Sequence, residues 1–288
     1  MTAVVLFGNG LSQGFSGELS LGRITQRVRD RIEEDNHVDT QLLDEVATLA
    51  APEGGGGVEE AAQSFEALAG PIDRIAQAVG LFDLLVDAQT DRLALFRPVA
   101  HELQRLYVSI VGLILEEIDR FCVEDLEANQ EWGPINDMAA ALGKLSDDLD
   151  ELCVYTLNCD SLLPSALANG GIDYYDGFRG LSLNSPLEPW NADLTFYHLH
   201  SSLSWIDRGG LPTSRVTYEA SRNGLLPAWV EGNLDQGIPA VVLSDLKSRV
   251  VQRYPFSVFY EAFGEDLVQA NSVAVAGYGF GVGLSTNS

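Results

Sequence analysis

Apolar and polar positions fall into two textures along this chain. Residues Val4, Val5, Leu6 and Phe7 form a short unbroken apolar run that stops at Gly8-Asn9-Gly10-Leu11-Ser12. That is the pattern of a buried strand delivered into a glycine-bracketed turn. From about residue 20 to 150 the spacing changes to steps of three and four, as a helical stripe requires. Such periodicity runs through residues 24–32, 42–49 and 72–86. It is clearest over 99–121, where Leu103, Tyr107, Ile110, Ile114, Ile118 and Phe121 predict one amphipathic stripe. A further helix is expected from about 135, closing in the acidic run 146–151. The glycines at 54–57 predict a surface loop inside this block.

From Leu152 onward short apolar strands return, at 152–157, 172–175, 194–199, 240–243 and 272–276. They alternate with helices predicted over 161–168 and 256–270. Residues 203–206 and 215–218 read as an exposed hairpin around Arg208-Gly209-Gly210. Tyr254, Phe256, Phe259 and Tyr260 read as a core-facing aromatic face, and Lys247 as a solvated loop residue. Near-continuously apolar strands alternating with helices predict an α/β fold: a Rossmann-like, parallel, doubly wound sheet. The first strand belongs inside that sheet, so 1–288 reads as a single domain. The helical block of about 20–150 is inserted between its first and second strands.

Composition narrows the chemistry. With 288 residues and 46% hydrophobic content the chain can bury a substantial core. Its longest apolar stretch, 106–115, is too short to span a bilayer, and no basic region precedes the first apolar run as a secretory signal would need. A cytoplasmic protein is therefore expected. Cys122, Cys153 and Cys159 form no CxxC pair, which argues against a disulfide framework and a zinc ribbon. Forty-two acidic residues against 17 basic ones give a net charge of −25, a surface that repels nucleic acid and anionic lipid. An anionic cofactor would have to be held by backbone dipoles and a few placed donors.

In an open parallel sheet, ligands bind beyond the carboxyl ends of the strands. Four segments bring polar or glycine-rich chemistry there: Gly8-Asn9-Gly10-Leu11-Ser12, Thr156-Leu157-Asn158-Cys159-Asp160, His198-Leu199-His200-Ser201-Ser202 and Gly277-Tyr278-Gly279-Phe280-Gly281. Taken singly, each has a plain structural reading. The glycine spacing is one residue longer than the dinucleotide fingerprint, and Asp160 could do no more than cap the following helix. His198 and His200 share a strand face, but no third ligand has the spacing of a metal site, so no metal is expected. His198 reads as a packed or hydrogen-bonded sheet residue.

In order and placement these four segments resemble the SIR2-like superfamily. Its members carry a Gly-Ala-Gly-x-Ser turn, a Thr-x-Asn-x-Asp strand end, a His-Gly strand end and a late Gly-Tyr-Ser-Phe-Gly turn. The sequence departs from that pattern at Asn9, Ser201, Gly279 and Val282, and it lacks the cysteine-rich zinc module of protein deacetylases. The resemblance is therefore to the NAD-hydrolysing domains of bacterial anti-phage systems, and it implies an NAD glycohydrolase. It implies Asn158 and His200 as the catalytic pair, Asn158 orienting water and the ribose and His200 serving as general base. Gly8, Asn9, Gly10, Ser12, Thr156, Asp160, Gly277, Tyr278 and Gly279 would contact NAD, with Ser12 and the turn N–H groups at the pyrophosphate and Asp160 at the carboxamide. A regulatory partner protein or a homo-oligomer is expected to restrain such an activity. Two other readings stay open: a module that senses NAD or ADP-ribose without cleaving it, and an ADP-ribosyl transferase.

Overall fold

A computed structural model describes residues 1–15, 17–35, 96–122, 133–183, 192–207, 213–242, 251–252 and 254–277. Its centre is a parallel sheet of five strands. In chain order these are β1 (Thr2–Phe7), β2 (Glu151–Thr156), β3 (Tyr174–Tyr175), β6 (Leu194–His198) and β10 (Ser272–Ala276), and they lie in the spatial order β10-β1-β2-β6-β3. Every neighbouring pair is parallel. The two ends of the chain thus meet in one sheet, with β1 hydrogen-bonded to β10 on one side and β2 on the other. Phe7 stands level with both Ala276 and Thr156, and Thr156 with His198, so four strands end flush along one rim. The whole is an α/β, Rossmann-like architecture.

Strand alternation sends side chains to opposite faces. Ala3, Val5, Phe7, Leu152, Val154, Leu194 and Phe196 pack on a helical layer formed by α2 (Leu21–Asp35), α3 (Phe96–Arg120), α4 (Gly133–Asp148) and α5 (Leu162–Asn169). Val4, Cys153, Tyr155 and Tyr197 face the other way, onto Phe256 and Phe259 of α7 (Phe256–Gln269) and onto Trp205. Apolar burial on both faces explains why these strands read as unbroken hydrophobic runs.

Helix α3 is more deeply buried than a single stripe allows. From Val108 to Leu115 only Ile114 keeps appreciable exposure. The reason is in the sequence: apolar or small residues occupy every side of this stretch, and an all-round apolar helix belongs inside a core. Gly112 lets the short helix α6 (Leu226–Val230) press against it, since a Cβ there would lie 2.7 Å from the Trp229 carbonyl carbon. Ser109 Oγ donates to Val230 O at 2.6 Å at the same crossing. Glu117, fully buried, accepts from Arg31 at 3.0 Å and Arg120 at 2.5 Å, which ties α2 to α3.

A second sheet is antiparallel, in the order β4 (Phe178–Arg179), β5 (Ser182–Leu183), β8 (Ser214–Arg215), β7 (Ser201–Asp207), β9 (Ile238–Val241). The expected hairpin pairs as β7 and β8, but it is not exposed: Leu203, Trp205 and Ile206 are buried in the core, and Val216 and Tyr218 lie beyond its second strand. Of the apolar run at 240–243, expected in the parallel sheet, Ala240 and Val241 instead belong to β9, at the edge of this second sheet, and residue 243 lies outside the described residues. Pro239 gives the physical reason, because proline lacks the N–H that a central strand must donate. Among the described residues no helix is long and apolar enough to cross a membrane. The glycine loop at 54–57, the periodic stretches 42–49 and 72–86, and Lys247 lie outside the described residues.

Candidate functional site

The rim where β10, β1, β2 and β6 end carries three of the four polar segments and the start of the fourth. A helix, α1 (Asn9–Phe15), begins directly after β1 and lays Ser12 against the end of β2. Ser12 Oγ donates to Asp160 Oδ2 at 2.5 Å, and Asn158 Nδ2 donates to Ser12 Oγ at 2.6 Å. Asp160 Oδ1 also accepts the Leu162 N–H at 3.1 Å. Asp160 therefore holds the first N–H of α5 with one oxygen and Ser12 with the other. Burial holds its carboxyl above the usual carboxylate range, and the Ser12 hydrogen bond partly offsets this.

Asn158 is 8% exposed, and its side-chain oxygen has no hydrogen-bond partner. Its own N–H donates to Thr156 Oγ1 at 3.0 Å, which curls the strand end inward. A cavity of about 10 Å³, lined by Leu11, Ser12, Phe15, Thr156, Asn158 and Asp160 among others, lies here. That is room for roughly one water molecule. An unpaired buried acceptor costs on the order of 1–3 kcal/mol, so a donor that reaches this oxygen would be bound favourably.

The glycine turn is folded differently from the expected phosphate cradle. Gly8 N donates to Ala276 O at 2.9 Å, Gly10 N to Gly277 O at 2.7 Å and Leu11 N to Gly8 O at 2.9 Å. These three donors are committed to the end of β10 and to the turn itself, and do not face a pyrophosphate in this conformation. The missing side chain of Gly10 makes room for another backbone, since a Cβ there would sit 2.8 Å from Gly277 O. Gly277 has φ +65°, a left-handed conformation that glycine adopts without strain. Asn9 opens α1, and Tyr278 and Gly279 lie outside the described residues.

The two histidines take different partners instead of sharing a face. His198 ends β6, is 4% exposed, and bonds Asn158 O through Nδ1 at 2.9 Å. Burial lowers its pKa to about 4, so the ring is a neutral donor that holds the Asn158 main chain. His200 lies on the link into β7 and turns to α7, where Nε2 is 2.9 Å from Tyr260 Oη. Ser12, Asn158, Asp160 and His198 thus form one connected network, while His200 belongs to a neighbouring pair on the same rim.

The chain matches no known protein-family model, and no curated protein is significantly similar to it.

Two residues that the sequence pattern assigns no role in a site adjoin this rim. The aromatic pattern places Tyr260 in the core with Phe256 and Phe259; those two are buried, but Tyr260 is partly exposed and pairs with His200. Tyr254 is 49% exposed and also leaves the expected face. Tyr218 places its hydroxyl 3.3 Å from Ser202 Oγ, and its phenol is held well above the usual range by burial, with Tyr174 and the Asp160 charge adding to the effect. The helical period puts Tyr260 on the same face as the buried Phe256, four residues earlier, so no signal in the sequence separates it from the core.

Proposed function

We propose that this protein is an NAD glycohydrolase that cleaves the nicotinamide–ribose bond, with Asn158 and His200 as its catalytic residues. The observation that carries this reading is the buried Asn158 side-chain oxygen, left unpaired beside Asp160 at the carboxyl end of a central parallel strand. A buried acceptor in that position suits a ribose hydroxyl, a carboxamide N–H or a water molecule. The reaction consumes NAD and water and yields nicotinamide, ADP-ribose and a proton. Nicotinamide departs uncharged, so no strong acid is needed; positioning of water and a group to take its proton supply the catalysis. Asn158 would orient the water or the ribose, and His200 would take the proton.

The water-sized cavity and the engaged turn donors support a restrained resting state. For NAD to enter, α1 and the Gly277 turn must separate, which fits regulation by a partner protein or by self-association. The same two features favour, as second reading, a module that binds NAD or ADP-ribose without cleaving it. Incubation with NAD, followed by detection of nicotinamide and ADP-ribose, tests both. The purified chain and the chain co-expressed with its genomic neighbours are to be compared. Both products are expected, and the Asn158→Ala and His200→Ala variants should lose about a hundredfold or more in turnover. Binding without products would leave the sensor, and neither binding nor products would exclude NAD as ligand. Nicotinamide released with ADP-ribose attached to protein would instead indicate a transferase.

A further inference from the structure

We infer that Tyr260 is a positioning residue that fixes the ring orientation of His200. Its hydroxyl lies 2.9 Å from His200 Nε2, and the two rings stack with centroids 6.4 Å apart at 28°. Distance and stacking together restrict the imidazole in translation and rotation. The phenol can donate to Nε2 or accept from it, so in either tautomer this nitrogen has a fixed partner and the ring a fixed orientation.

The tyrosine is itself firmly placed. It follows Phe259, which has no exposed surface and stacks on Trp205 at 5.1 Å between centroids and 23°. Phe256 anchors the first turn of α7 against the same Trp205. The backbone of His200 is pinned in turn, since its carbonyl accepts from Val242 N at 2.8 Å. A rigid helix thus presents a phenol to a histidine on a fixed link. A second residue that orients an imidazole in this way sets where its free nitrogen points.

The inference rests on the reading of His200 as the base, but its test separates the two. The full chain carries four histidines, so selective ¹⁵N-histidine labelling gives few ring signals, and His200→Gln assigns those of His200. The wild-type His200 Nε2 should carry the shift of a hydrogen-bonded ring nitrogen. In Tyr260→Phe that signal should move, while the His198 signals stay put and certify the fold. In turnover assays the same variant should lower kcat by about tenfold with KM within about twofold, and should move the acidic limb of the kcat/KM profile. Unchanged His200 nitrogen shifts in Tyr260→Phe would overturn the inference. A wild type that turns over no NAD while the nitrogen shifts respond would overturn the hydrolase reading and leave the pairing standing.

Discussion

His198 is a neutral imidazole because burial disfavours its charge, and this gives it a measurable signature. Its folded pKa is about 4 against an ordinary 6.5, so between those values the unfolded chain binds a proton that the folded chain does not. Stability from this residue is present above pH 6.5 and is lost as pH falls toward 4. The slope reaches at most about 1.4 kcal/mol per pH unit. Asp160 acts with the opposite sign: its folded pKa is raised from 3.8, so its contribution is present at low pH and lost as pH rises through the folded value. Urea unfolding of wild type and His198→Phe across pH 4–6.5 separates the two: the stability of wild type relative to the variant should fall as pH falls, and the variant should keep only the Asp160 trend. Ser12 makes a second case at this scale. Ser12→Ala removes the partner of both Asp160 Oδ2 and Asn158 Nδ2 inside a buried site. A loss of about 1–3 kcal/mol is expected in the same unfolding experiment, with the Asp160 pKa rising further once its hydroxyl donor is gone.

At the scale of elements, the contact of α1 with the end of β10 depends on two glycines facing each other. A Cβ on Gly277 would come 2.2 Å from Leu11 N, and one on Gly10 2.8 Å from Gly277 O. Both obstacles are backbone, which cannot swing aside. Gly14, in the same helix, would place a Cβ with nothing within 4 Å of it. Gly10→Ala and Gly277→Ala should therefore destabilise the fold, while Gly14→Ala should be neutral or stabilise it by up to about 1 kcal/mol. Equal melting temperatures for all three variants would refute the backbone brace. These elements also show which parts of the structure could be read from sequence. Strands β1, β2 and β6 were legible because burial on two faces leaves an unbroken apolar run, and β10 was legible by its apolar run although it lies exposed at the edge. The run at 240–243 has the same texture but a different neighbour, and only Pro239 marks it as an edge. Residues 99–121 were legible as a helix but not as a buried one, since a stripe of one face says nothing of the apolar residues on its flanks. That four strands end level along one rim was legible from the order of their polar ends. The engaged N–H groups of the glycine turn were not, because only packing decides which backbone fills the gap that a glycine leaves. Nor was the His200–Tyr260 pair, whose members meet across 60 residues of chain.

For the whole molecule, the sheet is protected unevenly. One edge is the two-residue strand β3, and the other is β10, which is exposed along its length from Ser272 to Val275. Val273 is 51% exposed, Val275 43%, and Val268 on the adjoining helix 87%. An apolar edge of this kind offers unpaired backbone groups to another chain, and natural sheets usually blunt such edges with charge. Here the blunting comes from the molecule's net charge of −25, which keeps copies apart. That protection is electrostatic, so salt should remove it: the screening length falls from about 10 Å at 0.1 M to about 3 Å at 1 M. Light scattering should therefore show self-association that grows with added salt. The double substitution Val273→Lys with Val275→Lys should suppress it at every salt concentration, with little change in melting temperature because both side chains are already half in water. Association that is independent of salt, or that survives the two lysines, would place the contact elsewhere on the surface.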